Sequence, residues 1–401
     1  MVDLNDYFSD RISQPVSASL AELFKLTERP DIISFAGGFP APEMFLPEEI
    51  AEVTRQLLVD EPFTVLGYSP TPGFSALREF LAERQSHQGM PAAASELMVT
   101  SGSLQGLDIL SRVFLNRGDR IIVEAPNYLG AIIAFAAYDV MIDAVPVDAE
   151  GLDTARLTEF LEQLRRQGSL PKLLYTVPTF QNPSGQTMSF RRRQELLDLA
   201  DRYGLLIIED NAYGELRFTG EEVPTLKAME TGGRVIYLGT FSKILSPGIR
   251  IGWIHAEKEV IERAVLVRQS MDQCSNSIGQ LLALEFGRRG LIKKQIDKTV
   301  LLLGERARLT LKLLAREFPV GTTWTNPEGG FYTWFTLPVE FNTAQLLPYC
   351  IEKAGVAYVA GDAFYVGKGG KNQMRLCYSQ PGLDDIARGI PRLAKALSTP
   401  L

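Results

Sequence analysis

The stretch RVIYLGTFSKILSPGIRIGW, residues 234–253, sets a run of apolar residues against a cluster of cations and hydroxyls. Its opening, RVIYLG, is apolar almost without a break, the mark of a strand covered on both sheet faces by helices. Thr240, Ser242 and Lys243 follow at once, and Arg250 comes after a Pro-Gly turn. Ligands in open α/β sheets collect beyond the carboxyl ends of the strands. What the other strand exits carry is therefore the informative question.

Similar runs recur from about residue 97: ELMVTS (96–101), RIIVEA (120–125), VMIDAVPV (140–147), KLLYTV (172–177) and GLLIIED (204–210). Between them lie stretches with helical spacing, such as LQGLDILSRVFLNRG (104–118) and FRRRQELLDLADRYG (190–204). This alternation predicts an α/β domain with a mainly parallel sheet covered by helices. After about residue 257 the pattern turns helical, and then GGFYTWFTL (329–337), VAYVAG (356–361) and QMRLCYS (373–379) read as three further strands. They predict a smaller α+β unit. The expected division is a large domain over residues 46–290 and a small one over 291–401, with residues 1–45 packing on the small domain.

Bulk properties narrow the classes. A chain of 401 residues exceeds the size at which a single core stops growing. With 45% hydrophobic and 22% charged residues it has the balance of an ordinary globular protein. A net charge of −7 lacks the basic footprint of a nucleic-acid binder. The three cysteines, Cys274, Cys350 and Cys377, form neither a CxxC pair nor a disulfide framework. The two histidines offer no HExxH or Cys/His cluster, so no metal site is expected, and His255 reads as a packed residue. No basic leader opens the chain, and the apolar stretch AIIAFAAYDVMI (131–142) is too short to span a bilayer, so a cytoplasmic location is expected.

The strand exits share a polar character. SGSLQG (101–106) opens a helix with small residues, which suits a phosphate at the helix N-terminus, although Ser-Gly-Ser also serves as an ordinary cap. Tyr128 stands after RIIVEAPN; Asn182 stands in an Asn-Pro pair that is equally a common turn. Asp210 closes GLLIIED, five apolar residues followed by Glu209, where a carboxylate is costly without a cation or proton donor. Tyr213 follows it. Any one of these could be a turn; five converging on one rim have a chemical use in common.

That use is an aldehyde cofactor with a phosphate and a pyridine ring. A lysine amine forms a Schiff base with such an aldehyde when burial or a neighbouring cation lowers its pKa. Pyridoxal phosphate fits the whole set. The hydroxyls, the 101–103 amides and Arg250 suit its phosphate, and Asp210 suits a protonated pyridine nitrogen, which makes the ring an electron sink. Asn182 and Tyr213 suit the ring oxygen, and Tyr128 can stack on the ring.

The motifs that carry these residues resemble those of the fold-type I, class I/II pyridoxal-phosphate aminotransferases over essentially the whole chain. They are AGGFP (36–40), YSPTPGFSALR (68–78), TSGSLQGLD (100–108), PNY (126–128), QNPSG (181–185), EDNAYGEL (209–216), TFSKILSPGIRIGW (240–253) and MRLCYS (374–379). AGGFPAPEMF and FSKILSPGIRIGW look closest to the branch containing 2-aminoadipate and kynurenine aminotransferases. The resemblance implies that Lys243 holds the cofactor and moves the substrate proton, with Asp210 and Tyr213 assisting. It implies that Ser103, the Leu104 backbone, Gln105, Ser242 and Arg250 surround the phosphate. Tyr68 matches a tyrosine that reaches the phosphate of a neighbouring subunit, so a homodimer with shared sites is expected. Arg375 matches the arginine that takes the substrate α-carboxylate, with Gly38 and Asn182 beside it.

The expected activity is transfer of an amino group from an L-amino acid to a 2-oxo acid, 2-oxoglutarate foremost. A lyase or decarboxylase on the same scaffold is the alternative, because the cofactor residues do not dictate which bond breaks. A GntR-type regulator would need a basic winged-helix region of some 60–70 residues before AGGFP, and about 35 residues, not strongly basic, precede it. Some aminoadipate-type relatives read a distal carboxylate with an arginine in the N-terminal helix. Ala21 stands at that place in SASLAELFKL, so either Arg11, Lys25 or Arg29 substitutes or the donor side chain is apolar or aromatic.

Overall fold

The computed structural model describes residue 4, residues 7–8, 31–318 and 320–398. Strand β1 is Ile33–Ser34. The large sheet is built from β2 (Leu97–Thr100), β3 (Arg120–Ala125), β4 (Met141–Asp148), β5 (Gly151–Leu152), β6 (Leu173–Thr176), β7 (Leu206–Asp210), β8 (Val235–Thr240) and β9 (Gly252–His255). Its order is β2-β9-β8-β7-β6-β3-β4-β5. The pairs β8–β7, β7–β6, β6–β3 and β3–β4 are parallel. The sheet is thus mainly parallel, and the buried faces of β2, β6 and β8 explain their unbroken apolar character.

Direction decides where the polar exits meet. β9 runs antiparallel to both β2 and β8, so β2 and β8 point the same way. The carboxyl ends of β2, β3, β6, β7 and β8 therefore share one rim, and Arg250, just before β9, returns to that rim.

Helices cover both faces of this sheet. The helix Phe190–Tyr203 starts where Ser189 Oγ accepts the Arg192 N–H and ends at Gly204. Its Leu196, Leu199 and Ala200 pack with Ile122, Leu174 and Ile207 of the strands on one face. The helix Ser103–Phe114 packs Leu107 and Leu110 with Met98, Val123 and Leu238 on the other.

A second sheet joins β10 (Thr323–Trp324), β11 (Tyr332–Thr336), β13 (Val359–Ala360) and β14 (Gln373–Cys377) in the antiparallel order β10-β11-β14-β13. The stretch read as one strand, VAYVAG, is two. β12 (Val356–Ala357) pairs in parallel with β1, whereas β13 joins the second sheet. The 27-residue helix Leu291–Glu317 links the cores: Leu303 and Ala307 pack with the large unit, Leu313 and Leu314 with Phe335, Met374 and Ile390. Among the described residues no helix is long and apolar enough to cross a membrane.

Candidate active site

The rim opens into a cavity of about 380 Å³, within the range that holds small ligands and cofactors. Gly38, Ser103, Leu104, Tyr128, Asn182, Asp210, Tyr213, Ser242, Lys243, Arg250 and Arg375 all line it. They come from five strand exits, from the segment after β1 and from β14, so the cavity lies between the two sheets.

Lys243 follows β8 and reaches inward, its Nζ donating to the Gly38 carbonyl at 2.9 Å. Loss of hydration lowers its pKa to about 8, and the Arg375 and Arg250 charges push the same way. A neutral, nucleophilic amine is then accessible near neutral pH.

Asp210, the last residue of β7, is 5% exposed. Its Oδ2 accepts the Tyr175 hydroxyl at 2.8 Å, and its Oδ1 is buried with no partner. Burial raises the carboxyl to about 6, opposed by Tyr175 and Lys243. An orphaned buried carboxylate oxygen at a cavity wall is expensive, and a protonated ring nitrogen would satisfy it. The neighbouring Glu209 points to the opposite sheet face, as strand alternation requires. It accepts the Leu226 and Lys227 N–H groups at 2.9 Å.

The other end of the cavity suits an anion. Ser103 and Leu104 begin a 12-residue helix whose first N–H groups receive no side-chain cap. Thr240 Oγ1 donates to Ser242 Oγ at 2.9 Å, which leaves the Ser242 proton for a ligand. Arg250 donates to the Ser101 carbonyl at 3.1 Å. Gly102 is required there: its φ is +89°, and a Cβ would stand 2.6 Å from Arg250 Nη2. The fully buried Arg268 braces this loop through the Val99 carbonyl at 3.3 Å and Ser275 Oγ at 3.1 Å.

Arg375 donates to Asn182 Oδ1 at 2.9 Å and to the Ala36 carbonyl at 2.8 Å, and its Nε has no partner. The guanidinium lies 4.4 Å over the Tyr332 ring and 5.0 Å over that of Phe364. A planar cation with an unused donor on a cavity wall fits a carboxylate.

Two expected residues stand elsewhere. Gln105 is turned away: its Oε1 accepts the Ser101 N–H at 2.7 Å and its Nε2 donates to Asp272 at 2.8 Å. It ties the loop together and does not line the cavity. Tyr68 is 88% exposed and lies outside this chain's cavity. Ala21, Arg11, Lys25 and Arg29 lie outside the described residues. His255 is packed, with Nδ1 3.2 Å from Gln85 Oε1.

Sequence reasoning missed Tyr175, Tyr332, Thr240 as a brace and Arg268. Tyr175 had one signal, since a tyrosine inside a buried strand needs a partner for its hydroxyl. Tyr332 had none, because FYTWF reads as core.

The cavity's chemistry agrees with the chain's relatives. The sequence profile of the family described as aminotransferase class I and II matches residues 30–392. The chain belongs to the class I and II aminotransferases. It is 44% identical over 397 residues to aromatic-amino-acid aminotransferase 1 of Thermococcus litoralis, covering 99% of this chain and 95% of that one. It is 38% identical over 384 residues to 2-aminoadipate transaminase of Thermus thermophilus, covering 95% and 94%. The crystal structure of Pyrococcus horikoshii kynurenine aminotransferase, described as in complex with PMP, superposes with a TM-score of 0.95 at 41% identity and 98% coverage of both chains. The aminotransferase therefore has the fold-type I architecture expected from its sequence, in the expected branch.

Proposed function

We propose that this aminotransferase holds pyridoxal 5'-phosphate in the cavity between its sheets. We propose further that it moves the amino group of an apolar, aromatic or 2-aminoadipate-like L-amino acid to a 2-oxo acid, most directly 2-oxoglutarate. The observation that carries the reading is the unpartnered, buried Oδ1 of Asp210 facing a cavity that also holds the low-pKa amine of Lys243. When bound, the cofactor supplies an aldehyde for that amine and an electron-withdrawing ring that stabilises negative charge at the substrate Cα.

The chain's residues do the rest. Asp210 keeps the ring nitrogen protonated, and Tyr175 keeps Asp210 oriented. The 103–104 amides, Ser242 and Arg250 anchor the phosphate; Tyr128 covers the ring, and Asn182 and Tyr213 bond its oxygen. Arg375 and the Gly38 backbone receive the substrate α-carboxylate. Lys243 Nζ carries the proton to and from Cα.

A homodimer accompanies this reading. Val59, Phe63, Leu66 and Tyr68 are 66, 92, 76 and 88% exposed on one short stretch, an apolar surface fit for a second copy of the chain. Tyr68 would then serve the partner's phosphate. We place the division near the start of the helix Leu291–Glu317, with the segment before residue 46 joined to the small unit through β1, and infer a cytoplasmic location.

A panel of amino donors assayed against 2-oxoglutarate, read as glutamate formed, tests the activity. Turnover of leucine, phenylalanine or kynurenine is the expected result. Release of ammonia or carbon dioxide without glutamate would assign a lyase or decarboxylase instead.

A further inference from the structure

Tyr332, on β11, touches three parts of the cavity at once. Its Oη lies 3.0 Å from the Oη of Tyr213. Its ring carries the Arg375 guanidinium at 4.4 Å. Its hydroxyl also presses on Gly38, where a Cβ would come within 2.2 Å of Oη. The Gly38 carbonyl in turn accepts from Lys243 Nζ. The residue is 2% exposed, so neither its ring nor its hydroxyl is a bystander at the surface.

A hydrogen bond between two hydroxyls uses the proton of only one of them, so the direction matters. A Tyr213 that bonds the cofactor's ring oxygen must turn its own proton outward and accept one from Tyr332. We propose that Tyr332 is a positioning residue that donates to the Tyr213 oxygen, strengthening Tyr213 as a donor to the ring oxygen, while its ring seats Arg375 for the substrate carboxylate. The proposal rests on the reading of Tyr213 given above.

The surroundings favour that direction. The Arg375 guanidinium lies 4.4 Å over the Tyr332 ring, and its charge opposes the rise that burial causes there, which favours the Tyr332 hydroxyl as the donor. The ionisable groups whose charges act on Tyr332, or on which its charge acts, are Arg375 and Cys377 of β14, Tyr378 beyond it, and Tyr128 and Tyr213 of the large sheet's rim. Chained hydrogen bonds polarise one another, on the order of 10–30% per bond. A stronger donor at the ring oxygen stabilises its negative charge most when the lysine–cofactor linkage is unprotonated. The hydroxyl of Tyr332 therefore lowers the pH at which that linkage loses its proton.

The test uses the holoenzyme and the pH midpoint of its visible absorption band. Tyr332→Phe keeps the ring under Arg375 and removes the hydroxyl. It should raise the midpoint by about half a pH unit to one unit, a three- to tenfold change in the proton equilibrium. Its KM for the amino donor should change less than about twofold. Tyr332→Leu should raise the midpoint equally and also raise that KM about tenfold, because the seat for Arg375 is lost. Tyr213→Phe is the control and should raise the midpoint at least as far. A raised midpoint in Tyr213→Phe with none in Tyr332→Phe would overturn the relay alone. No shift in either variant would overturn the assignment of Tyr213 and the relay with it.

Discussion

Arg375 and Asn182 meet across the gap between the two sheets, the guanidinium donating to Asn182 Oδ1 at 2.9 Å. One residue belongs to β14, the other to the loop beyond β6, so this bond ties the cation proposed to receive the substrate carboxylate to the wall of the large sheet. Arg375 also has an unpartnered Nε. Asn182→Ala would therefore leave a buried cation with a second unfilled donor. A hydrogen bond to a charged group contributes about 1.5–3 kcal/mol. The expected outcome, measured by steady-state kinetics at saturating cofactor, is a KM for the amino donor raised at least about tenfold. An unchanged KM would show that Arg375 holds its place without Asn182.

Gly102 and Arg250 give a second test. The backbone of Gly102, at φ 89° and ψ 163°, lies in a region that costs other residues about 1–3 kcal/mol. A Cβ there also displaces Arg250. Gly102→Ala should weaken cofactor binding about tenfold or more in equilibrium dialysis. Retention at wild-type affinity would remove Arg250 from the phosphate site.

Asp210 sets a pH dependence. In the cofactor-free protein burial raises it to about 6, and pairing with a protonated ring nitrogen favours the carboxylate and lowers it. The affinity gained from Asp210 in this pair is present above about pH 6 and is lost progressively as pH falls below that value towards the lower pKa of the bound state. The cofactor's own phosphate titrates nearby, so the informative quantity is the difference between wild type and Asp210→Asn. Tyr175→Phe removes a bond that holds Asp210 down and should move the loss to higher pH. A wild-type affinity that follows the Asp210→Asn curve at every pH would contradict the pairing.

Legibility in the sequence tracked burial. RIIVEA occupies the same residues as β3, because a strand apolar on both faces offers no other reading. VAYVAG failed as a single strand because its two halves choose different partners, one of them β1, more than 300 residues earlier. In the cavity, Lys243 and Asp210 stood out as polar groups ending apolar runs. Gln105 did not reveal that its amide turns to Asp272, a contact 167 residues away in sequence. Tyr175 and Tyr332 carry apolar bodies, and only their hydroxyl partners distinguish them from core.

On this account the amine that carries the cofactor is that of Lys243. Borohydride reduction of the purified holoenzyme, followed by proteolysis and mass mapping, locates that amine directly. The predicted result is a phosphopyridoxyl adduct on the peptide containing Lys243, with none formed by Lys243→Ala. An adduct on another lysine, or a bleached visible band with no lysine modified, would contradict the assignment.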